Sequence, residues 1–303
     1  ISALKTLTGA YSLLLLHKDF LIAVRDPNGF RPLVMGKLNG HPVFSSETTA
    51  FDLMGATYER EVEPGEMIIV HHNNNLVTKS IRPFDKAPQK RCIFEYVYFA
   101  RPDSLLYGEN VYETRKALGR KLAQEHPPED AEMVIPVPDS GVYAALGYSE
   151  QAKLPFELGI IRSHYVGRTF IEPRQSIRDF GVKLKLNPVA NFIRNRSIVV
   201  VDDSLVRGTT SKKLITHLRE AGARKVHLRI SAPPTTHPCY YGIDTPNKAE
   251  LLASHNSVEQ IRKFVGADSL GYISLPGLIE VASAKSNEGF CHACFSGEYP
   301  TAI

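Results

Sequence analysis

The stretch from Ile198 to Ser211, which reads IVVVDDSLVRGTTS, constrains the fold of this chain more than any other stretch. Its four branched apolar residues predict a strand that is buried on both faces, as strands of parallel sheets are. Two carboxylates follow the strand, and a Gly-Thr-Thr-Ser turn leads into an amphipathic helix that ends at Gly222. Ligands of open α/β sheets bind beyond the carboxyl ends of the strands, and free N–H groups at a helix N-terminus bind anions. The segment therefore predicts a site for a phosphorylated sugar, in which the two carboxylates bind the sugar hydroxyls or a hard cation.

This order of strand, acid pair, Arg-Gly-Thr-Thr turn and helix resembles the phosphoribosylpyrophosphate (PRPP) signature of type I phosphoribosyltransferases. The alternative is a solvated Asp-Asp turn in another nucleotide-binding fold. Residues 135–141 (IPVPDSG) form a second loop between a predicted strand and a predicted helix, again typical of an anion site. Such a loop alone is more often structural, but two of them on one sheet fit a ligand with phosphate at one end and pyrophosphate at the other.

A long basic segment from Arg162 to Asn187 lies between these two loops in the sequence. Loops of this length inside a compact domain are usually functional lids or disordered segments. A basic lid over a polyanion would exclude water and neutralise a leaving pyrophosphate. A solvated basic loop is the alternative interpretation.

The pattern of the chain changes near residue 88. Before it, short strand patterns alternate with turn residues, including Asn28-Gly29 and Asn39-Gly40, which we interpret as hairpin turns. After about residue 110, helices and apolar strands alternate, which predicts a doubly wound parallel sheet flanked by helices. The predicted strands are Tyr11–Leu16, Phe20–Val24, Met67–His71, Leu76–Lys79, Met133–Val137, Phe156–Ile161, Ile198–Asp203 and Val226–Ser231; the predicted helices are Ser46–Met54, Val111–Glu125, Val142–Ala152, Thr210–Ala221 and Ser257–Val265, the last opening with a capping box.

Charge and hydropathy exclude several classes of protein. The chain has 303 residues and a formal net charge of +4, which suits anionic metabolites and gives little support to nucleic-acid binding. No apolar run approaches the roughly 20 residues of a membrane span, and no signal peptide is evident. Because the chain begins at Ile1 in mid-pattern, we expect an N-terminal truncation or a processed fragment.

The chain has four cysteines, two of them in the sequence Cys291-His292-Ala293-Cys294. An isolated Cys-x-x-Cys is either a redox pair or half of a zinc site. Together with Cys92 and Cys239 it can complete a four-thiolate site for zinc or for a [4Fe-4S] cluster, and the residues alone do not decide between them. Disulfides are disfavoured for an intracellular metabolic enzyme.

With these residues considered together, the chain resembles the glutamine PRPP amidotransferase family, the amidophosphoribosyltransferases that open purine synthesis. The resemblance covers nearly the whole chain. Its landmarks are residues 8–12 (TGAYS), 25–27, 31–33, 45–47, 92–102 (CIFEYVYFARP), 165–171 (YVGRTFI), 202–203, 238–244 (PCYYGID) and 290–300 (FCHACFSGEYP). It implies a type I phosphoribosyltransferase sheet (residues 89–303, with a C-terminal helical and iron–sulfur segment), preceded by part of an N-terminal nucleophile (Ntn) glutaminase domain (residues 1–88).

The resemblance also implies roles for individual residues. Ser140, Asp202 and Asp203 would hold Mg²⁺, the four cysteines would hold a structural [4Fe-4S] cluster, and a lid from Tyr165 to about Asn187 would close over the ligand. The PRPP-binding residues would be Asp139, Ser140, Gly141, Tyr165, Arg168, Lys185, Asp202, Asp203, Ser204, Arg207, Gly208, Thr209 and Thr210. Three residues depart from the family pattern: Ser163-His164, just before the lid, stand where the family commonly has Asn-Arg, and Lys183 within the lid stands where Arg is frequent.

No catalytic residue of the glutaminase half is assigned. The family uses an N-terminal cysteine as nucleophile, but no cysteine precedes Cys92 in this sequence. The resemblance implies that the intact enzyme uses PRPP and glutamine-derived ammonia, and we expect these 303 residues to retain only the ammonia-dependent reaction. The resemblance further implies inhibition by purine nucleotides, a homo-oligomer (tetramer or dimer) and a cytoplasmic location, or an organelle in a plant-like source. The rival interpretations are a salvage phosphoribosyltransferase, a PRPP-sensing regulator and an inactive fragment.

Overall fold

The computed structural model describes residues 1–72, 76–128, 130–163, 186–245, 247–284 and 289–302. Internal contacts divide the chain into two compact units. The first unit contains residues 1–112, 239–245 and 282–303, and the second contains residues 113–238 and 246–281. Residues 89–112 and the cysteine-bearing segments thus group with the β-rich first unit, whereas the domain boundary near residue 88 stays a prediction.

The first unit contains two antiparallel sheets that enclose a small core. The strands are β1 (Ser12–Leu16), β2 (Phe20–Arg25), β3 (Val34–Leu38), β4 (His41–Ser45), β5 (Thr57–Glu61), β6 (Met67–His72) and β7 (Leu76–Ile81). One sheet has the order β1-β2-β6-β7 and the other β4-β3-β5. Both contribute to a cluster around Ala23, Met35 and Ile68. The four predicted strands of this region are confirmed, whereas β3, β4 and β5 were not predicted.

The two predicted hairpin turns have different outcomes. Asn39 and Gly40, both at positive φ, join β3 to β4 in a two-residue hairpin, as predicted. The prediction for Asn28-Gly29 is wrong, because this turn connects β2 of one sheet to β3 of the other. Its Asp26 carboxylate accepts hydrogen bonds from the N–H groups of Asn28 (3.0 Å) and Phe30 (3.3 Å), so the chain turns away from β2 instead of folding back on it.

Shorter elements complete the first unit. They are α1 (Ser2–Lys5), α2 (Thr49–Met54), β8 (Arg91–Cys92), a π-helical turn (Glu95–Phe99), β9 (Leu105–Leu106), β10 (Glu109–Asn110), β17 (Phe290–Cys291) and α9 (Ala293–Ser296). Helix α2 begins three residues after the predicted start at Ser46. The short parallel pairing between β8 and β17 sets Cys92 opposite Cys291.

A parallel sheet organises the second unit. Its strands are β11 (Met133–Pro136), β14 (Ser197–Asp202), β15 (Lys225–Ile230) and β16 (Ser269–Tyr272), in the order β11-β14-β15-β16. The helices are α3 (Val111–Glu125), α4 (Val142–Ala152), α5 (Ala190–Ile193), α6 (Thr209–Glu220), α7 (Val258–Val265) and α8 (Leu275–Ala282); the first two residues of α3 and the last of α8 group with the first unit. The predicted α/β fold class is confirmed, including the fully buried centre of β14.

One predicted strand does not belong to this sheet. Of the predicted strand Phe156–Ile161, Phe156 makes only an isolated bridge to Val134. The chain then turns away near Gly159, and β12 (Ile160–Arg162) pairs antiparallel with β13 (Leu186–Pro188) as a separate ribbon. Gly159 lies so close to Ile135 that a Cβ there would be 2.8 Å from its side chain, which leaves no room for a regular apolar strand. The predicted capping box at Ser257 and Gln260 is confirmed.

Helices α3 and α4 cross at two glycines. A Cβ on Gly147 would lie 1.8 Å from the carbonyl oxygen of Lys116, and one on Gly119 would lie 1.9 Å from that of Ala144. We expect Gly147→Ala to lower the free energy of unfolding by about 1 to 3 kcal/mol, because backbone must move apart. The control is Gly277→Ala in α8, whose Cβ would meet mainly the flexible end of the Glu125 side chain. Equal urea midpoints for the two variants would contradict the close crossing.

Candidate functional site

The two predicted anion loops lie at one edge of the parallel sheet. Strand β11 pairs with β14 so that Pro136 is opposite Val201, and both strands therefore end side by side. The loop after β11 passes directly over β14, because a Cβ on Gly141 would be 2.3 Å from the carbonyl oxygen of Val201. Position 141 thus requires glycine. Earlier in the same loop, the Pro138–Asp139 peptide bond is cis.

Asp202 and Asp203 form a carboxylate pair at this edge. The N–H of Asp203 donates to Oδ1 of Asp202 (2.9 Å), and the hydroxyl of Ser204 donates to Oδ2 of Asp203 (2.6 Å). Burial, followed by the nearby charge of Asp203, raises the pKa of Asp202 well above its ordinary value. Because two ionised carboxylates on adjacent residues repel each other, the pair is suited to a cation or to hydroxyl donors.

The turn after the acid pair leads into α6 through Gly208. This residue has φ +72°, and a Cβ there would lie 2.6 Å from Cδ2 of Leu252, so glycine is required on two counts. No side chain of the described residues caps α6 at its N-terminus. Its first N–H groups, at Thr209 and Thr210, therefore face outward at the positive end of the helix dipole, as in phosphate-binding helices.

Two ion pairs at these loops were not foreseen from the sequence. Arg162 pairs with Asp139 of the first loop. Nε of Arg207 in the second turn donates a hydrogen bond to Oε2 of Glu250 (3.1 Å), and Nη2 lies 2.9 Å from the same oxygen as an ion pair. The partners are distant in sequence and carry no local signal. The predicted site residues Tyr165, Arg168 and Lys185, and nearly all of the predicted lid, lie outside the described residues.

The cysteines form a separate group within the first unit. All four thiols are free, with Cys92, Cys291 and Cys294 buried and Cys239 half-buried. Burial raises the pKa of Cys291 to about 11 and that of Cys294 well above its ordinary value, and the charges of the other cysteines add to the effect. Among the described residues, no three His, Cys, Asp or Glu side chains lie close enough together to hold a single metal ion.

A backbone network holds Cys239 in this group. The N–H of Tyr241 donates to Sγ of Cys239 (3.3 Å), and the N–H of Cys239 donates to Oγ1 of Thr245 (2.7 Å). Tyr241 stacks on Phe30 with ring centroids 4.1 Å apart, and its hydroxyl is 3.0 Å from Oγ1 of Thr301. Hydrogen bonds of this kind orient and tune sulfur ligands.

Comparison with known proteins identifies the family. The chain is 54% identical over 301 residues to the chloroplastic amidophosphoribosyltransferase of Glycine max, an alignment that covers 99% of this chain. The chain belongs to the amidophosphoribosyltransferase family. It is 50% identical over 305 residues to the Bacillus subtilis member. It superposes with a TM-score of 0.93 and 49% identity on the B. subtilis glutamine PRPP amidotransferase solved with ADP and GMP.

The match covers this chain more fully than it covers its relatives. The alignments cover 52% of the Glycine max protein and 63% of the B. subtilis protein, and the superposition covers 66% of the solved chain. The chain thus spans about half to two thirds of the length of the relatives it matches. No family model matches the chain. No helix in the part of the chain that the structure describes has the length and apolar character of a membrane span.

Proposed function

We propose that this chain carries the phosphoribosyl-transfer activity of an amidophosphoribosyltransferase. It would displace pyrophosphate from C1 of PRPP with ammonia and release 5-phosphoribosylamine, the first step of purine (IMP) synthesis. The proposal rests on one observation. Asp202-Asp203 and the 139–141 loop lie at the same edge of the sheet, and the acid pair is followed by the N-terminus of α6, which no described side chain caps. Such an edge provides separate subsites for the two ends of one polyanionic sugar.

Different residues would contact the different parts of this ligand. The α6 N-terminus and its turn would bind the 5-phosphate, through Ser204, Arg207, Gly208, Thr209 and Thr210. Asp202 and Asp203 would accept hydrogen bonds from the ribose hydroxyls. Asp139, Ser140 and Gly141 would contact the pyrophosphate, and the predicted residues Tyr165, Arg168 and Lys185 would close over it.

Magnesium fits this site by its chemistry. Mg²⁺ prefers carboxylate and hydroxyl oxygens, and the raised pKa of Asp202 reflects a half-buried carboxyl next to Asp203, a pair whose negative charges a cation would offset. We propose that Asp202, Asp203 and Ser140 hold it together with the substrate. When bound, Mg²⁺ would neutralise charge that builds on the leaving pyrophosphate. The acids of this chain would orient the ribose and stabilise the oxocarbenium-like sugar, so no strong base for ammonia is assigned.

A [4Fe-4S] cluster is the second group we propose. Four free thiols influence one another electrostatically and offer the soft ligands that such a cluster needs. Cys92, Cys239, Cys291 and Cys294 would hold the cluster, in a structural role.

Regulation and location are further parts of the proposal. The B. subtilis enzyme was solved in complex with ADP and GMP. We propose that purine nucleotides inhibit this chain as well, and that it acts as a homo-oligomer. Plant relatives are named chloroplastic, so a plastid is the alternative to the cytoplasm.

The nitrogen donor tests the proposal. With PRPP and Mg²⁺, we expect these 303 residues to release pyrophosphate when ammonia is supplied and not when glutamine is, because no cysteine precedes Cys92. The measurement is pyrophosphate release with each donor, with the free purine bases as a third acceptor. Turnover with glutamine would contradict our interpretation of residues 1–88. Turnover with a free base would favour a salvage enzyme, and tight PRPP binding without turnover would favour a sensor.

A further inference from the structure

The phosphate turn of the proposed site lacks a local device that fixes its shape. Gly208 occupies the N-cap position of α6 in a left-handed conformation, and no side chain in the part of the chain that the structure describes caps the helix. Ser, Thr, Asp or Asn at this position would satisfy the first N–H groups. The turn therefore keeps those groups for a ligand, and its conformation must be supported from elsewhere in the unit.

The support comes from residues 248–254, which we call the supporting segment. The N–H of Leu252 donates to the carbonyl oxygen of Val206 (2.9 Å). The Leu252 side chain fills the space next to Gly208, 2.6 Å from where a Cβ would be. Phe264 of α7 lies against the same glycine and is covered by Lys212, whose Nζ is 4.6 Å from the ring centroid.

The supporting segment also holds Arg207. Nε of this guanidinium donates a hydrogen bond to Oε2 of Glu250, and Nη2 forms an ion pair with the same oxygen. Among the described residues Glu250 is its only hydrogen-bond partner, so Nη1 is left for an anion. The two side chains are 56% and 48% exposed, and an exposed pair of this kind adds little to folding stability. A stability role therefore does not account for it.

We infer that Glu250 is a positioning residue, which holds Arg207 in place for the 5-phosphate before the ligand arrives. The inference rests on the proposed PRPP site. A free arginine side chain loses much rotamer freedom when it binds a phosphate. Glu250 removes that loss in advance, because its carboxylate already contacts two of the three guanidinium nitrogens. The opposite role, a carboxylate that competes with phosphate for Arg207, is the alternative that the experiment must separate.

The two roles predict opposite changes in the KM for PRPP. If Glu250 positions Arg207, Glu250→Ala raises KM about threefold to tenfold, the range for one long side chain that is no longer ordered beforehand. Its kcat stays within about twofold, because the 5-phosphate contact is the same in the ground state and the transition state. Glu250→Gln, which still offers a carbonyl oxygen to Arg207, recovers most of the loss. A KM that falls in Glu250→Ala would overturn the inference.

A double-mutant cycle shows whether the effect passes through Arg207. We expect Glu250→Ala to change nothing further in an Arg207→Ala background. The same increase in both backgrounds would overturn the inference, whereas an unchanged KM in Arg207→Ala alone would refute the proposed phosphate subsite instead. The control is Glu259→Ala, which removes a comparably exposed carboxylate that pairs with Arg262 on α7. It should leave KM unchanged, and all variants should unfold near the wild-type temperature.

Discussion

Asp202→Asn will remove nearly all PRPP turnover and will make the ligand-free chain more stable. The carboxylate is expected to accept charge-assisted hydrogen bonds from the ribose, each of which contributes about 1.5 to 3 kcal/mol. Losing two of them should lower kcat/KM about 10²-fold to 10⁴-fold. The amide also removes a like charge from a partly buried pair, so the free energy of unfolding should rise by about 1 kcal/mol. Pyrophosphate release and urea unfolding at neutral pH measure the two effects.

The pH dependence of folding stability follows from the direction of the pKa shift of Asp202. Burial and Asp203 raise the pKa of Asp202 in the folded chain. The stability that this group contributes is therefore fully present below the ordinary pKa of an aspartate and is lost as the pH rises through the folded value. Asp202→Asn should lack that decline. Binding of Mg²⁺ and PRPP should release a proton in the same pH range, which calorimetry in two buffers of different ionisation enthalpy would detect.

Asp130, in the same unit, provides a control whose pKa is shifted in the opposite direction. Its hydrogen bond to Lys225 lowers the pKa of this carboxyl, with His227 contributing. Its stability contribution is present above the ordinary aspartate pKa and is lost on acidification. Asp130→Asn should thus keep full PRPP turnover and be less stable than wild type at neutral pH. If Asp202→Asn retains turnover, the pair does not hold the ligand as proposed. If it is also destabilised at neutral pH, the two carboxyls do not repel each other as we infer.

Local signals explain what could be predicted from the sequence. The bounds of α3 and α4 agree with the prediction to the residue, because a helical period with a following Pro-Pro or strand signal is contained in one window. Strand β14 and its acid pair were predicted for the same reason. Strand β5, by contrast, reads TYERE, and nothing in that window distinguishes it from a polar loop; its pairing with β3 decides its structure.

Contacts between distant residues account for the rest. Arg207 and Glu250 are 43 residues apart, and neither position carries a signal that names the other. The same limit applies to Phe156–Ile161, where the apolar pattern was present but the close approach of Gly159 to Ile135 prevents a regular strand. The turn at Asn28-Gly29 shows how one side chain, Asp26, decides between a hairpin and a crossing from sheet to sheet.

Reconstitution with iron and sulfide without oxygen is expected to load four irons on each chain, and Cys294→Ser is expected to lose most of them. Cys294 is 8% exposed, and burial holds its pKa well above the ordinary value. Loading must expel this proton, so it should be faster at higher pH. A cluster present at a hundredfold above its dissociation constant would stabilise the chain by about 2.7 kcal/mol. Iron content, visible absorption and urea unfolding of loaded and unloaded chains measure these effects.

The control for Cys294→Ser is Ala293→Ser, which adds the same hydroxyl at the neighbouring buried position and keeps all four thiols. It should load iron as the wild type does. Thr245→Val is a graded test, because it removes the oxygen that accepts from the Cys239 N–H and should weaken loading without abolishing it. If the chain instead binds one zinc ion and stays colourless, the four cysteines form a zinc site and not a cluster site. Full iron loading in Cys294→Ser would show that this thiol is not a ligand, and the assignment of the four cysteines would then be wrong.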